Sequence, residues 1–219
     1  RTHMDVLIYG ADDMVKLLSA EDSPERVALS AQFDGVLARL QADPTLSRGD
    51  RVSALIARVS VARIGTPKES TAPKLAEPLL RDVREMAARM DREITDGYER
   101  MSVITSVAYL QGQAGLWTDS DALLQANLAK AHSPYYLMSQ LGSNARKLGR
   151  KDEALRWYQQ AFDKSVGPAT RLQWGSGYLS ALVELAPTDA ARIEKAARQL
   201  FTEAAADKGA FYERSARSL

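Results

Sequence analysis

Side chains that could act as nucleophiles, bases or metal ligands are sparse in this chain. The 219 residues contain no cysteine, which excludes disulfides, thiolate zinc sites and cysteine nucleophiles within them. His132 stands just before the turn Ser133-Pro134, and a solvated turn residue is favoured there because metal sites need several ligands. Asp119-Ser120-Asp121 lacks the glycine and the distal glutamate of a calcium loop, so helix capping is favoured. We predict no cofactor and no metal site.

Acidic residues before Met101 are the remaining candidates for catalysis. Glu93, Asp96 and Glu99 are the acids that an enzyme made of stacked helices would bring into one cleft. Salt pairing with Arg92 and Arg100 explains them more simply. With so little histidine, a hydrolase triad also has little to draw on. The sequence therefore predicts a non-catalytic protein.

Helices are the elements that must position these groups. Apolar residues recur at three and four positions nearly everywhere, and no alternating β-branched run bounded by turn dipeptides occurs. Ser23-Pro24-Glu25 predicts a helix start. Ser47 or Asp50 can cap the next helix, which Gly65 ends, and a long amphipathic helix follows from Lys74. The fold class is predicted to be all-α.

Turn residues recur at a fixed spacing in the second half of the chain. Gly115 and Gly149 are 34 positions apart, as are Pro134 and Pro168, and 34 residues is the tetratricopeptide period. Beyond Pro168 the period fails although helices continue. The spacing predicts antiparallel helix pairs stacked as a tetratricopeptide-like right-handed array, an α-solenoid.

Small residues in the better copy have separate packing reasons. Gly142 and Ala154 are small where its two helices approach, and Tyr158 fills the gap above them. Gly149 supplies the turn because it can adopt the left-handed conformation that ends a helix. Gly175-Ser176-Gly177 predicts a further close contact between helices.

The chain is expected to divide at the polar, proline-flanked segment from Gly65 to Pro73. The predicted parts are a vector-derived scar at 1–4, N-terminal helices packing on the array at 5–72, and a tetratricopeptide-like helical domain at 73–219, with repeats at about 101–134 and 135–168 and capping helices at 169–219.

Charge and hydropathy restrict the partners. The net charge is +1 and falls to zero once Arg1 is discounted, so no electrostatic footprint for nucleic acid or an anionic membrane is present. No stretch of eighteen apolar residues occurs, which predicts no membrane insertion. A protein or peptide partner is expected, and self-association into a homo-oligomer is left open.

Several segments between residues 98 and 214 carry a more specific resemblance to a known family. They are Tyr98-Glu99-Arg100, Ala108-Tyr109-Leu110, Gly115-Leu116, Asp119-Ser120-Asp121-Ala122-Leu123-Leu124, Ala131-His132-Ser133-Pro134-Tyr135-Tyr136, Gly167-Pro168-Ala169-Thr170-Arg171-Leu172-Gln173-Trp174-Gly175 and Ala210-Phe211-Tyr212-Glu213-Arg214. Together they resemble the helical C-terminal region of bacterial thioredoxin-domain proteins. The resemblance implies a periplasmic protein whose redox cysteines lie in an upstream thioredoxin domain. It carries no catalytic residue to this chain, which has no Cys-x-x-Cys.

A concave groove is the predicted binding site. In tetratricopeptide arrays this face is formed by the first helix of each pair. The expected groove residues are Ser102, Thr105, Tyr109, Tyr136, Ser139, Ser143, Arg146 and Lys147. Two roles stay open: an interaction module that docks a partner here, or an accessory domain that positions an upstream thioredoxin-fold oxidoreductase and has no groove ligand of its own.

Overall fold

The computed structural model describes residues 4–67 and 69–218, and this part of the chain is helical with no strand. The helices are α1 Met4–Leu18, α2 Pro24–Ala42, α3 Arg48–Ala62, α4 Glu77–Glu93, α5 Gly97–Gln113, α6 Trp117–Asn127, α7 Tyr135–Lys147, α8 Lys151–Lys164, α9 Pro168–Leu185, α10 Ala190–Ala206 and α11 Glu213–Ser218. The all-α prediction is confirmed, whereas the stacking of helix pairs as a tetratricopeptide-like right-handed array stays a prediction. Residues 1–3 of the predicted scar lie outside the described residues.

Short polar signals begin several helices as predicted. The Ser23 hydroxyl accepts a hydrogen bond from the Arg26 amide at 3.1 Å, and Pro24 occupies the first helical position of α2. Ser47 caps α3: its hydroxyl accepts from the Asp50 amide at 3.1 Å and donates to the Asp50 carboxylate at 2.8 Å. These bonds satisfy amides at the start of each helix that have no partner within the helix.

The two glycines at the repeat spacing form turns of the same geometry. Gly115 has φ +81° and Gly149 has φ +73°, both in the left-handed region that favours glycine. In both turns the amide after the glycine donates to the carbonyl five positions earlier, at 2.8 Å. This bond is typical of a Schellman ending, which satisfies a carbonyl of the last helical turn.

The chain forms two compact units, Arg1–Ala126 and Asn127–Leu219. In the first unit, α3 packs against α1, α2, α4 and α5, and its Val52, Leu55 and Val59 side chains are fully buried. In the second unit, α7 packs on α8, α8 on α9, and α9 on α10 and α11. Each unit therefore has its own core of helices packed as neighbouring pairs.

The segment predicted as a linker is bound within the first unit. The Arg63 guanidinium donates to the Gln113 carbonyl and, at 3.2 Å, to the Ser70 carbonyl. The Trp117 indole N–H donates to the Thr71 carbonyl at 2.6 Å. Residues 73–126 consequently belong to the same unit as the N-terminal helices, and the predicted division at residue 72 does not coincide with the boundary between the units.

Glycines permit close helix packing in the second unit. A Cβ on Gly142 would lie 2.9 Å from the Tyr158 ring, and Ala154 is completely buried, as predicted for the contact of α7 with α8. Gly175 is confirmed as a close contact, since a Cβ there would meet Phe162 and Leu200, but Gly177 has no neighbour within 4 Å.

Candidate functional site

Two side-chain contacts join α7 and α9 within the second unit. The Tyr136 and Trp174 rings meet edge to face with centroids 5.1 Å apart. The Arg146 guanidinium binds the Glu184 carboxylate through Nη2 at 2.6 Å and Nε at 3.1 Å. Both pairs are separated by the same number of positions in the sequence, so the two helices run parallel and in register. The contacts lie ten residues apart along each helix, which is about 15 Å.

Three half-buried rings form an aromatic cluster at one end of this α7–α9 face. Tyr135 lies 5.2 Å from Tyr136 and 6.0 Å from Trp174, measured between ring centroids. The indole N–H of Trp174 is buried without a hydrogen-bond acceptor among the described residues. Rings of this size provide a large apolar contact area and carry polar atoms at their edges.

The other end of the face is polar, and its two opposite charges neutralise each other. Arg146 and Glu184 are about half exposed and form a bidentate ion pair. Burial raises the pKa of the Tyr158 hydroxyl, while hydrogen bonds with Arg146 and Ser143 act in the opposite direction. Arg146 is thus bound to two neighbours, and the charge that it presents to solvent is compensated by Glu184.

The predicted groove residues are divided between the units. On α7, Tyr136 and Ser139 are half-buried and the others are exposed: Ser143, Arg146 and Lys147. On α5, Ser102 and Tyr109 are exposed and Thr105 is half-buried. The Ser102 and Thr105 hydroxyls donate to carbonyls of their own helix, Ser102 to Glu99 at 3.1 Å and Thr105 to Met101 at 2.6 Å. Within each helix the residues share one face because their spacing follows the helical period.

Sequence reasoning did not include the α9 side of the face. In the sequence, Trp174 stands only within the segment that resembles thioredoxin-domain proteins, and Glu184 carries no signal. The 34-residue spacing ends at Pro168, so it could not locate them. Their separation from Tyr136 and Arg146 becomes informative only once α7 and α9 are known to lie side by side.

The acids considered for catalysis have structural partners. Asp96 caps α5 by accepting from the amides of Tyr98 and Glu99. Glu99 pairs with Arg48 at 3.1 Å. Arg100, which is 7% exposed, binds Asp91 at 2.8 Å, so the expected pairing of Arg100 with the catalytic candidates is wrong.

Other sites considered from the sequence are local contacts. Arg92 lies 3.7 Å from Glu93, as expected. The exposed His132 has its Nδ1 atom 3.0 Å from the Ser133 hydroxyl. Ser120 is buried and donates to the Ala108 carbonyl at 2.7 Å. Over residues 4–67 and 69–218, no three acidic or histidine side chains are grouped closely enough to hold a metal ion.

Comparisons with known proteins add no relative. No protein-family model, curated protein or solved structure matches the chain. The resemblance to thioredoxin-domain proteins therefore stays a prediction. Within the part of the chain that the structure describes, no helix has the length and apolar character needed to cross a bilayer.

Proposed function

We propose that the chain is a non-catalytic helical-repeat module of the tetratricopeptide type that binds an extended segment of a partner protein on its α7–α9 face. Supporting this proposal, the Gly115 and Gly149 turns share one geometry, and α7 and α9 run parallel, as the first helices of consecutive helix pairs do in such repeats. The absence of cysteine from the sequence argues against thiol chemistry in the chain itself.

The arrangement of the α7–α9 face is the observation that carries the proposal. The aromatic cluster offers a contact for one apolar side chain, and rings of this type are common anchors at protein interfaces. About 15 Å further along lies the Arg146–Glu184 pair, which offers both donors and an acceptor. An extended peptide advances about 3.3 Å per residue, so four to five residues would span this distance.

The compensated ion pair favours a peptide backbone over a charged side chain as the ligand at that end. Every peptide unit presents one N–H donor and one C=O acceptor. Arg146 can donate to such a carbonyl and Glu184 can accept from such an amide without either charge being left unpaired. Ser139 is half-buried between the two ends, and its hydroxyl can either donate or accept a hydrogen bond.

Selection of peptides from a random display library against the full chain tests the proposal. Fluorescence anisotropy of a selected peptide should show saturable binding, weakened about tenfold or more by Tyr136→Ala. Tyr9→Ala is the matched control, because Tyr9 is an exposed tyrosine on α1 in the other unit. Tyr109→Ala separately measures any contribution of the predicted α5 residues.

A second variant guards against a trivial loss of folding. Ser139→Arg adds bulk to the middle of the face without removing a ring. It should therefore also weaken peptide binding, while the helical circular dichroism signal stays unchanged. Binding that survives both Tyr136→Ala and Ser139→Arg would refute the proposed location.

The alternative role is that of an accessory domain positioning an upstream thioredoxin-fold oxidoreductase, with no groove ligand. This role and a periplasmic location rest on the sequence resemblance alone. It predicts that the library yields no peptide dependent on Tyr136, so the same selection separates the two roles.

A further inference from the structure

Arg89 differs from the other arginines that are buried or half-buried in the first unit. Those arginines all donate to carbonyl, carboxylate or hydroxyl oxygens of the protein; they are Arg26, Arg48, Arg51, Arg58, Arg63 and Arg100. Arg89 is half-buried, yet its Nε–H has no acceptor and its Nη2 lies 3.3 Å from the Met86 sulfur, a weak acceptor. Among the described residues, no carboxylate lies within 4.0 Å of its guanidinium.

An incompletely paired guanidinium in this position needs a physical account. Removing a cation and its N–H groups from water costs free energy unless they are paired. An arginine fork fits a carboxylate through two parallel hydrogen bonds. The Nε atom is itself closed to solvent, so a ligand carboxylate would bind at the terminal nitrogens of Arg89, to which the protein supplies only the weak Met86 acceptor.

Arg89 is one of the residues that line a half-open surface cavity. The cavity has a volume of about 340 Å³ and lies between α2 and α4, with Gln41 on one side and Asp82, Glu85, Arg89 and Arg92 on the other. The volume is within the range of small-molecule sites. Gln41 is held in place, because its side-chain oxygen accepts from Arg58 at 2.7 Å.

The acids of the cavity differ in how far they are already paired. Asp82 binds Arg58 at 2.7 Å. Glu85 is exposed, and its nearest basic partner is Arg81 at 4.0 Å. Glu85 also stands four residues before Arg89, an order that favours an ion pair along a helix. No such pair closes among the described residues, so a carboxylate and a guanidinium lie one helical turn apart beside the same cavity.

We propose that this cavity binds a free α-amino acid, with the ligand carboxylate on the Arg89 guanidinium and the ligand ammonium group on Glu85. The lining contains two acids and two arginines, so it complements a zwitterion. A doubly charged phosphate would be repelled by Asp82 and Glu85, and a simple carboxylate would leave Glu85 without its partner. This site is separate from the α7–α9 face and does not depend on the proposed function.

Isothermal titration calorimetry of the full chain with each standard amino acid in turn tests the proposal. At least one amino acid should bind saturably. Acetate, methylammonium and inorganic phosphate should each bind about tenfold more weakly or not at all, because each lacks one of the two charges or carries too many. Arg89→Gln and Glu85→Gln should each weaken binding of the amino acid about tenfold or more.

Arg84→Gln is the matched control. Arg84 is exposed on the same helix, pairs with Glu77 at 3.1 Å and does not line the cavity, so its replacement should leave the affinity unchanged. In the unaltered chain, the Nε–H signal of Arg89 in nitrogen-15 NMR should shift on titration, which gives a readout that does not require a variant to fold. The proposal is overturned if no amino acid binds saturably, if acetate binds as tightly as the best amino acid, or if binding leaves the Arg89 signal unmoved.

Discussion

Replacing Gly175 by alanine should destabilise the second unit, whereas the same replacement at Gly177 should stabilise it. An alanine Cβ at Gly175 would lie 2.8 Å from a Phe162 ring carbon and 2.9 Å from the Leu200 Cδ1 atom. Phe162 is 1% exposed and Leu200 is 2% exposed, so neither side chain has open space to enter. The Arg171 guanidinium lies 4.8 Å from the centroid of the Phe162 ring and restricts its movement further.

The magnitude follows from two opposing contributions. Alanine is favoured over glycine in a helix interior by about 1 kcal/mol. Forcing an extra methyl into a packed core costs about 1–3 kcal/mol. Gly177, on the same helix, has nothing within 4 Å and receives only the first contribution. The difference in unfolding free energy between Gly175→Ala and Gly177→Ala therefore isolates the packing cost, about 1–3 kcal/mol.

Urea denaturation followed by helical circular dichroism measures this difference. Both variants should unfold with the slope of the parent chain, so that midpoints can be compared as free energies. Gly177→Ala should unfold at a higher urea concentration than the parent and Gly175→Ala at a lower one. Equal stability of the two variants would refute the packing argument, because it would mean that α8 and α10 yield to the methyl without cost.

Substitutions at two further positions, Gly149 and Glu203, test a turn and an ion pair. At Gly149, φ is +73° and no atom lies within 4 Å of the position that a Cβ would take. Gly149→Val should therefore lower the free energy of unfolding by about 1–2 kcal/mol through backbone strain alone, and Gly149→Asn should lower it less. Equal urea midpoints for the valine variant and the parent chain would contradict this. Hydrogen bonding to Arg171 lowers the pKa of Glu203 below 4.5, and this carboxylate therefore stabilises the fold above its unfolded pKa and loses that effect as pH falls through the folded pKa. Glu203→Gln should be less stable than the parent at neutral pH, with the gap in urea midpoints closing below pH 4.5; a gap independent of pH would refute the assignment.

Helix starts and ends could be predicted because their signals are local. The Ser23 cap needs only the amide of Arg26, three residues later. The Gly149 turn needs only a glycine in the left-handed conformation and the hydrogen bond from the Arg150 amide to the Ala145 carbonyl. These interactions form between near neighbours in the chain, so residue type and spacing were sufficient to find them.

The boundary between the two units could not be predicted from local signals of this kind. A polar, proline-flanked stretch is typical of a linker, yet its Thr71 carbonyl accepts from Trp117 and its Ser70 carbonyl accepts from Arg63. Backbone carbonyls carry no sequence signal for the side chains that will bind them. The tertiary structure decided that this stretch belongs to the first unit.

The candidate sites show the same limit. Residue spacing selected Tyr136 and Arg146 on α7, because helical periodicity determines which residues share a face. It could not show that Trp174 and Glu184 would lie beside them, or that Arg89 would lack an oxygen partner. Sequence by itself determined the helices and their faces, and only helix packing decided which faces meet and which charges stay unpaired, since those contacts join residues far apart in the chain.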